Sequence, residues 1–591
     1  MKPGFAPNTA LLLAGGLCLL PFLVPYHQQP VLSFFPEWLA AALGAAAALT
    51  LLASRSFVAN AALPAPAPWL VALALFLALR AAAGGLAYPQ TSLLAALYVL
   101  YAVLMVQLGA QLAAQLGIER AALTLAAFVL VGALLNAAAG VIQYAGRPAF
   151  LEDLIAELHG RRAYGNIAQV NLYANYLALG AASLVYLWLR TRLRTAVALA
   201  ALGLIAVASA LSGSRSALLY ALWFALLAPL ASRLPDRVAA GRLKRGAYAA
   251  AAAIALAHLA VPWLGSLMQM GRGGGLLERF AGPAPEEGEP RLAIFAAALR
   301  VFTEAPLLGA GVGEFAGAAF AAGLDPSLTR IAQVWNSPHN LPLQLLAETG
   351  LIGAALALAA LTSWAVKLAR RYRAQPSPAL WWICGAVGVG LLHSLIEFPL
   401  WSAHFLGVTA LLIGAGAPPP PPPLAVARAA RLGGVAAVAA LALALGVLLR
   451  DYVRLDTTRV TGTAMTMAPA AQVRRDAATM HALRAGLLAP VAERWILLGA
   501  SLDRNDLADK LALSGRVARV WPSNAVIVRR AVWLALEGRQ TDAHALLASA
   551  LRTFPRARDA SIAILEEALP ADPGAIGKLL EAARDSRKPP A

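Results

Sequence analysis

The sequence predicts an all-α polytopic membrane protein with a helical tail outside the bilayer, and three observations carry that prediction. Hydrophobic residues make up 60% of the 591-residue chain and charged residues 13%, whereas a soluble domain is about a quarter charged. The mean hydropathy of +0.66 is concentrated in apolar runs of roughly 17 to 25 residues, long enough to span a bilayer and too long for buried core helices. The basic residues stand in short clusters between those runs. That distribution turns the formal charge of +18 into a topology signal and excludes nucleic acid as the partner.

The runs give about thirteen expected spans: Thr9–Tyr26, Trp38–Ala53, Pro68–Ala83, Thr91–Leu116, Ala121–Ala145, Ile167–Leu189, Thr195–Leu211, Ser216–Ala231, Gly246–Leu267, Leu341–Ala365, Leu380–Ile396, Trp401–Ile413 and Gly433–Leu449. The two short ones around HSLIEFPLW form either a pair or one broken helix. Alternating sides from a cytoplasmic N-terminus puts Arg55, Arg120, Arg190–Arg194, Arg233–Arg245, Lys367–Arg373 and Arg428–Arg431 inside. With Lys2 that is roughly seventeen basic residues, against about four in the short outside loops, as the positive-inside rule requires. An odd number of spans puts the tail outside.

Two domains follow, a membrane domain over 1–450 and an outside helical domain over 451–591. The long outside loop, about 268–340, contains the Pro/Glu-rich GPAPEEGEP, and PPPPPP at Pro418–Pro423 is a stiff linker before the last span. In the tail, Ala531, Gly538, Ala543, Leu547, Ala550 and Pro555 fall where a tetratricopeptide-like pair of helices needs small, turn and stop residues. One such unit cannot bury its own apolar face, so neighbouring helices between Ala470 and Arg519 are expected to cover it. Such a module either binds another protein or only packs. Cys18 and Cys384 lie inside apolar runs without ligand spacing and read as small buried hydrophobes.

Polar groups on the outside face are few. NSPHNLPLQLLAETGLIG puts His339 at the entrance of a span, where an imidazole either acts as a general base for a hydroxyl or only bonds the helix start. Glu348, about two and a half turns further at ~3.6 residues per turn, lies out of phase with His339 and shares a face with Gln344. LSGSRSALL puts Arg215 between two spans, where its fork suits a phosphate or snorkels to headgroups. RLAIFAAALRVF sets Leu292, Phe295, Ala296, Leu299 and Phe302 on one helical face, expected to lie against the membrane surface, with Arg291 at its start. Arg162 opens RAYGNIAQVNLYAN. Three outside arginines and one histidine point to an anionic lipid headgroup. His393 and Glu397 are spaced to share a helical face; His27 and Glu37 stand in the first outside loop. Both sets read as structural more readily than as functional. The sequence holds no phosphate-cradling glycine loop, no Ser–His–Asp arrangement and no metal cluster.

These segments resemble the O-antigen ligase and polymerase superfamily. The features are RAYGN…N at Arg162–Asn171, SGSRS around Arg215, the Arg291 helix followed by PLLGAGVGEF, and the histidine segment from His339 to Gly350. HQQPVLSFFPEWLA, HSLIEFPLW and the helical tail are similar to the protein O-oligosaccharyltransferases (PglL or pilin glycosylation ligase type). The resemblance implies a bacterial inner-membrane enzyme that takes a glycan from undecaprenyl pyrophosphate on the periplasmic side. It passes the glycan to Ser or Thr of a protein such as pilin, without metal or other cofactor and with inversion. It implies His339, Arg215 and Arg291 as catalytic residues, and places Arg162, Gln169, Asn171, Asn340, His393 and Glu397 around the substrates. An O-antigen ligase, an O-antigen polymerase and a polyprenyl-linked sugar transporter remain as alternatives; a transporter would want its polar groups at mid-membrane depth.

Overall fold

The structure is a computed structural model that describes residues 5–27, 31–52, 63–267, 290–323, 329–330, 333–418, 427–457 and 483–585. Arg55, most of GPAPEEGEP, Pro419–Pro423 and residues 458–482 of the expected tail lie outside the described residues. Among the described residues eight helices are long and apolar enough to cross a membrane, and four shorter apolar helices accompany them. Each coincides with an expected span, as a multi-pass membrane protein requires. Gly246–Leu267 is the remaining expected span, and it forms the latter part of a longer helix, Arg237–Leu267.

The chain divides into two compact units. The first comprises residues 1–72, 98–283 and 357–446. Its central helix, Val170–Arg190, is buried along most of its length and packs against Ile118–Gly146, Thr195–Leu211, Arg237–Leu267 and Pro378–His393. With lipid outside, such helices gain from close contact rather than from escape from water, and small residues permit that contact. At Gly180 an added Cβ would lie 2.2 Å from the Ala133 Cβ. Tyr173, Tyr176, Tyr186, Tyr220, Trp381 and Trp382 fill the core, and the Tyr176 hydroxyl satisfies itself on the Cys18 carbonyl at 2.7 Å.

Two sequence features have defined local geometry in this unit. The His27 ring bridges the carbonyls of Leu32 and Asn166 at 3.0 and 2.8 Å, and the Glu37 carboxylate accepts from the Tyr98 hydroxyl and from the Ala403 amide. HSLIEFPLW breaks the chain between two helices: Pro378–His393 ends, a short 3-10 turn spans Pro399–Trp401, and a new helix starts at Ala403. Pro399 at the start of that turn has no amide to continue a helix.

The second unit comprises residues 73–97, 284–356 and 447–591. Helix Pro290–Glu304 buries Ile294, Ala297, Ala298 and Val301 against Phe315, Ala319 and Ala347. The stripe singled out in the sequence is the other face: Leu292, Ala296 and Leu299 are exposed, with Phe295 and Phe302 half-buried beside them. In the tail, helices Asn524–Leu536 and Gln540–Thr553 pack together around Ala531, Ala543, Leu547 and Ala550, with Gly538 in the turn and Pro555 opening the next one. Helix Leu507–Val520 covers the pair from the N-terminal side as expected, and Arg558–Ala568 and Pro573–Asp585 cover it from the C-terminal side.

Candidate functional site

In the first unit the polar residues converge on one turn. Helix Thr195–Leu211 ends and helix Ser216–Leu227 begins with only Ser212–Arg215 between them. Four unpaired backbone groups at each helix end need partners, and side chains from three other segments hold the turn. Arg162 donates from Nε to the Ser212 carbonyl at 2.6 Å. The Ser214 hydroxyl donates to Asn171 Oδ1 at 2.7 Å and lies 2.6 Å from the Ser216 hydroxyl. Asn171 in turn donates from Nδ2 to the Glu397 carboxylate at 2.7 Å. Ser212, Ser214, Ser216 and Glu397 are all buried, whereas Arg215 at the tip is exposed. A rigid, satisfied base with an exposed guanidinium is a suitable mount for a group that must meet an anion.

One layer further in, the Tyr220 hydroxyl meets His393 Nδ1 at 2.5 Å and accepts weakly from Asn175 at 3.4 Å. His393 thus meets Tyr220, and Glu397 meets Asn171. The helix ends at His393, and just past that end the Glu397 amide donates to the His393 carbonyl at 2.9 Å. Gln169 caps the start of helix Val170–Arg190, its Oε1 accepting from the Leu172 amide at 2.5 Å.

The second unit holds His339 and Arg291. His339 has φ +52, the left-handed region that a non-glycine residue enters at a cost of order 1–3 kcal/mol and that recurs at functional positions. Its amide donates to the buried Ser337 hydroxyl at 3.1 Å, and its ring meets the Trp335 ring edge-on with centroids 4.9 Å apart. Asn340 starts the following helix, Oδ1 accepting from the Leu343 amide at 3.0 Å. Arg291 is exposed at the first turn of Pro290–Glu304, a helix whose buried face packs on Ala347 with Leu343 nearby.

The glycine-rich PLLGAGVGEF segment supports the helix that His339 precedes. The amides of Ala310 and Gly311 donate to the carbonyls of Ala347 and Glu348 at 2.9 and 3.0 Å, and the Gly313 amide donates to the Glu348 carboxylate at 2.9 Å. Glu348 and Gln344 are both buried, as their shared face requires. The helix Leu341–Ala374 is interrupted at Gly350, φ +62 and ψ −165, where the Leu351 amide turns to the Pro306 carbonyl at 2.8 Å. Beyond this loop, Glu314 is buried, which pushes its carboxyl above the ordinary range; the Ala87 amide and Arg519 pull it back. Among the described residues no group of three His, Cys, Asp or Glu side chains could hold a metal ion.

Sequence reasoning singled out Arg162, Asn171, Arg215, His393 and Glu397, and the structure brings these together around one turn. It missed Asn175, Ser214, Ser216 and Tyr220, which look like isolated polar residues in apolar runs. The SGSRS spacing, with serines two apart on either side of Arg215, was the available signal.

The family described as protein glycosylation ligase matches residues 163–188, just past Arg162 and including Gln169 and Asn171. The family described as O-antigen ligase matches residues 200–358, which hold Arg215, Arg291, His339 and Asn340. Residues 381–565, with His393, Glu397 and most of the described tail, match the C-terminal part of a virulence factor membrane-bound polymerase. A general O-oligosaccharyltransferase of Acinetobacter baylyi (strain ATCC 33305 / BD413 / ADP1) is 28% identical over 411 residues, 68% of this chain and 69% of that protein. Over most of residues 163–565, then, the chain resembles the O-antigen ligase superfamily and, within it, the protein O-oligosaccharyltransferases.

Proposed function

We propose that the protein transfers a glycan en bloc from undecaprenyl pyrophosphate to Ser or Thr hydroxyls of proteins at the periplasmic face of the bacterial inner membrane. The observation that carries the reading is the exposed Arg215 on a turn whose every buried serine is tied to Arg162, Asn171 or a neighbour in the turn. Arg215 and Arg291 bind the pyrophosphate and stabilise the charge that develops on it as the sugar leaves. His339 takes the proton of the attacking hydroxyl. The acceptor oxygen bonds to the anomeric carbon while the bond from that carbon to the phosphate oxygen breaks. Attack from the opposite face inverts the centre. No metal enters this scheme.

In this reading Asn171, His393 and Glu397 act by supporting the Arg215 turn, and Arg162 closes it from the other side. The amide nitrogens of Gln169 and Asn340 face the substrates while their oxygens cap helices. The N-terminus is cytoplasmic, the membrane domain spans 1–450 with thirteen crossings, and the tetratricopeptide-like tail, 451–591, is periplasmic. A glycan hydroxyl as acceptor is a second reading, favoured by the polymerase match over 381–565.

The test is transfer from purified lipid-linked oligosaccharide by the full-length protein, offered a Ser-containing pilin peptide, lipid A–core or a second lipid-linked glycan, with chelator present. Transfer to the peptide alone is expected. Transfer only to a glycan acceptor overturns the protein-glycosylating reading, and activity lost on chelation and restored by a divalent ion overturns the metal-free mechanism.

A further inference from the structure

Two lines of contact run from the helical tail to the residues around His339, both inside the second unit. Arg519, at the last turn of Leu507–Val520, is paired with the Glu314 carboxylate through Nε, which donates at 2.8 Å, and through one terminal nitrogen, which also donates to the Gly85 carbonyl at 2.8 Å. Glu314 also accepts from the Ala87 amide at 2.7 Å. It ends the loop whose amides are bonded to Ala347 and Glu348, on the helix that begins just after His339. The main chain is equally close, since a Cβ at Gly317 would lie 2.1 Å from the Arg519 carbonyl oxygen. The second line starts at Ser523, which forms a β-bridge with Gln333. Gln333 lies in the two-residue strand just before Trp335, whose ring meets His339.

A module that only recognised an acceptor would not need its root bonded to the support of the reactive loop. A buried carboxylate paired with a guanidinium is a directional contact, and truncating the arginine leaves Glu314 buried without its ion-pair partner. His339 sits in a backbone region that persists only where its surroundings impose it, and both lines end on those surroundings. A general base works only within hydrogen-bond reach of its proton, about 2.6–3.2 Å.

Resting on the assignment of His339 as the proton acceptor, we propose that Arg519 is a positioning residue, through which the helical tail holds the His339 segment in its reactive geometry. The tail is thereby part of the transfer machinery and not only a docking module. Deleting the whole tail would remove Arg519, Ser523 and any acceptor surface together, so point variants in the full chain are needed.

The experiment is a double-mutant cycle on Arg519 and His339, with kcat, acceptor KM and lipid-donor binding measured at equal amounts of folded protein. Arg519→Ala is expected to lower kcat by about 10- to 100-fold, the scale of an ångström-level misplacement, with donor binding and acceptor KM nearly unchanged. Arg519→Lys, which keeps the charge without the guanidinium's paired donors, is expected to recover part of the loss. In the His339→Ala background the same change should cost less than about 3-fold, because the two residues then act as one unit. An equal factor in both backgrounds, an unchanged kcat, or an effect confined to acceptor KM overturns the proposal. If Arg519→Ala does not accumulate in membranes, Glu314→Gln is judged by the same criteria. Wild-type activity of His339→Ala overturns the functional assignment of the histidine itself, an outcome distinct from additivity in the cycle.

Discussion

Asn171 donates its side-chain amide to the Glu397 carboxylate at 2.7 Å and receives the Ser214 hydroxyl on its oxygen at 2.7 Å. The first turn of a helix, a turn between two helices and a broken segment far along the chain are thereby fastened at one point. Glu397→Ala takes the acceptor away from a half-buried amide, at a cost of about 1–3 kcal/mol, and loosens the turn that carries Arg215. Lower thermal stability and weaker lipid-donor binding are expected together. Glu397→Gln keeps an acceptor oxygen and should lose much less of both. Donor binding unchanged in Glu397→Ala would detach this network from the arginine.

Gly309 and Gly350 face each other's segments across a gap too small for side chains. A Cβ at Gly309 would lie 2.3 Å from the Glu348 carbonyl carbon, and one at Gly350 would lie 2.4 Å from that of Leu307. Both glycines have positive φ, +68 and +62. Gly350→Ala therefore meets backbone atoms as well as a left-handed conformation, and should destabilise by at least ~2 kcal/mol. The measurement is the melting temperature of the purified protein in detergent. Thr349→Ala, next to it, is the comparison and should be milder; equal melting of Gly350→Ala and wild type would contradict the close packing.

Much of this was readable in the residues. The apolar runs placed the helices, because length and composition alone decide whether a segment can satisfy its backbone in lipid. His339 before a helix and Arg215 between two helices were likewise placed by proline, glycine and serine punctuation. What was not readable depends on long-range pairing. The face argument for Glu348 gave Gln344 on the same helix but not the Gly313 amide from an earlier loop. The spacing of His393 and Glu397 likewise did not announce their bonds to Tyr220 and Asn171 on other helices. The positive φ of His339 has no sequence signature at all, since it is imposed by Ser337, Trp335 and the packed helix.

Glu493 makes the stability of the second unit depend on pH. Burial alone would push its carboxyl up, but hydrogen bonds from Arg516, Tyr88 and Arg484 outweigh this and hold it below its ordinary value. A carboxylate depressed by folding stabilises the fold above its unfolded value, about 4.3, and loses that contribution as the pH falls through the folded value. Wild type should therefore melt above Glu493→Gln at pH 7, and the gap should close as the pH drops below about 4. Melting curves of both proteins from pH 7 to pH 3.5 check this. A gap that stays constant over that range would assign the difference to packing instead of charge.

The roles assigned to the arginines and the histidine separate in binding against turnover. A group that holds the pyrophosphate in the ground state and in the transition state affects donor affinity, whereas a proton acceptor affects the chemical step. Arg215 and Arg291 are exposed, so replacing them removes little packing. Arg215→Ala and Arg291→Ala are expected to weaken binding of the lipid-linked donor and to lower turnover. Lys at either position should restore part of the affinity, because an ammonium supplies the charge without the bidentate fork. His339→Ala is expected to leave donor binding nearly intact and to cut transfer by about 10²- to 10⁴-fold, the usual range for a positioned general base. Alanine also relaxes the left-handed backbone no better than histidine does, so His339→Gly serves as the control for strain: it should be as inactive as His339→Ala. Donor affinity lost in His339→Ala, or retained in both arginine variants, would reverse the assignment of who binds and who reacts.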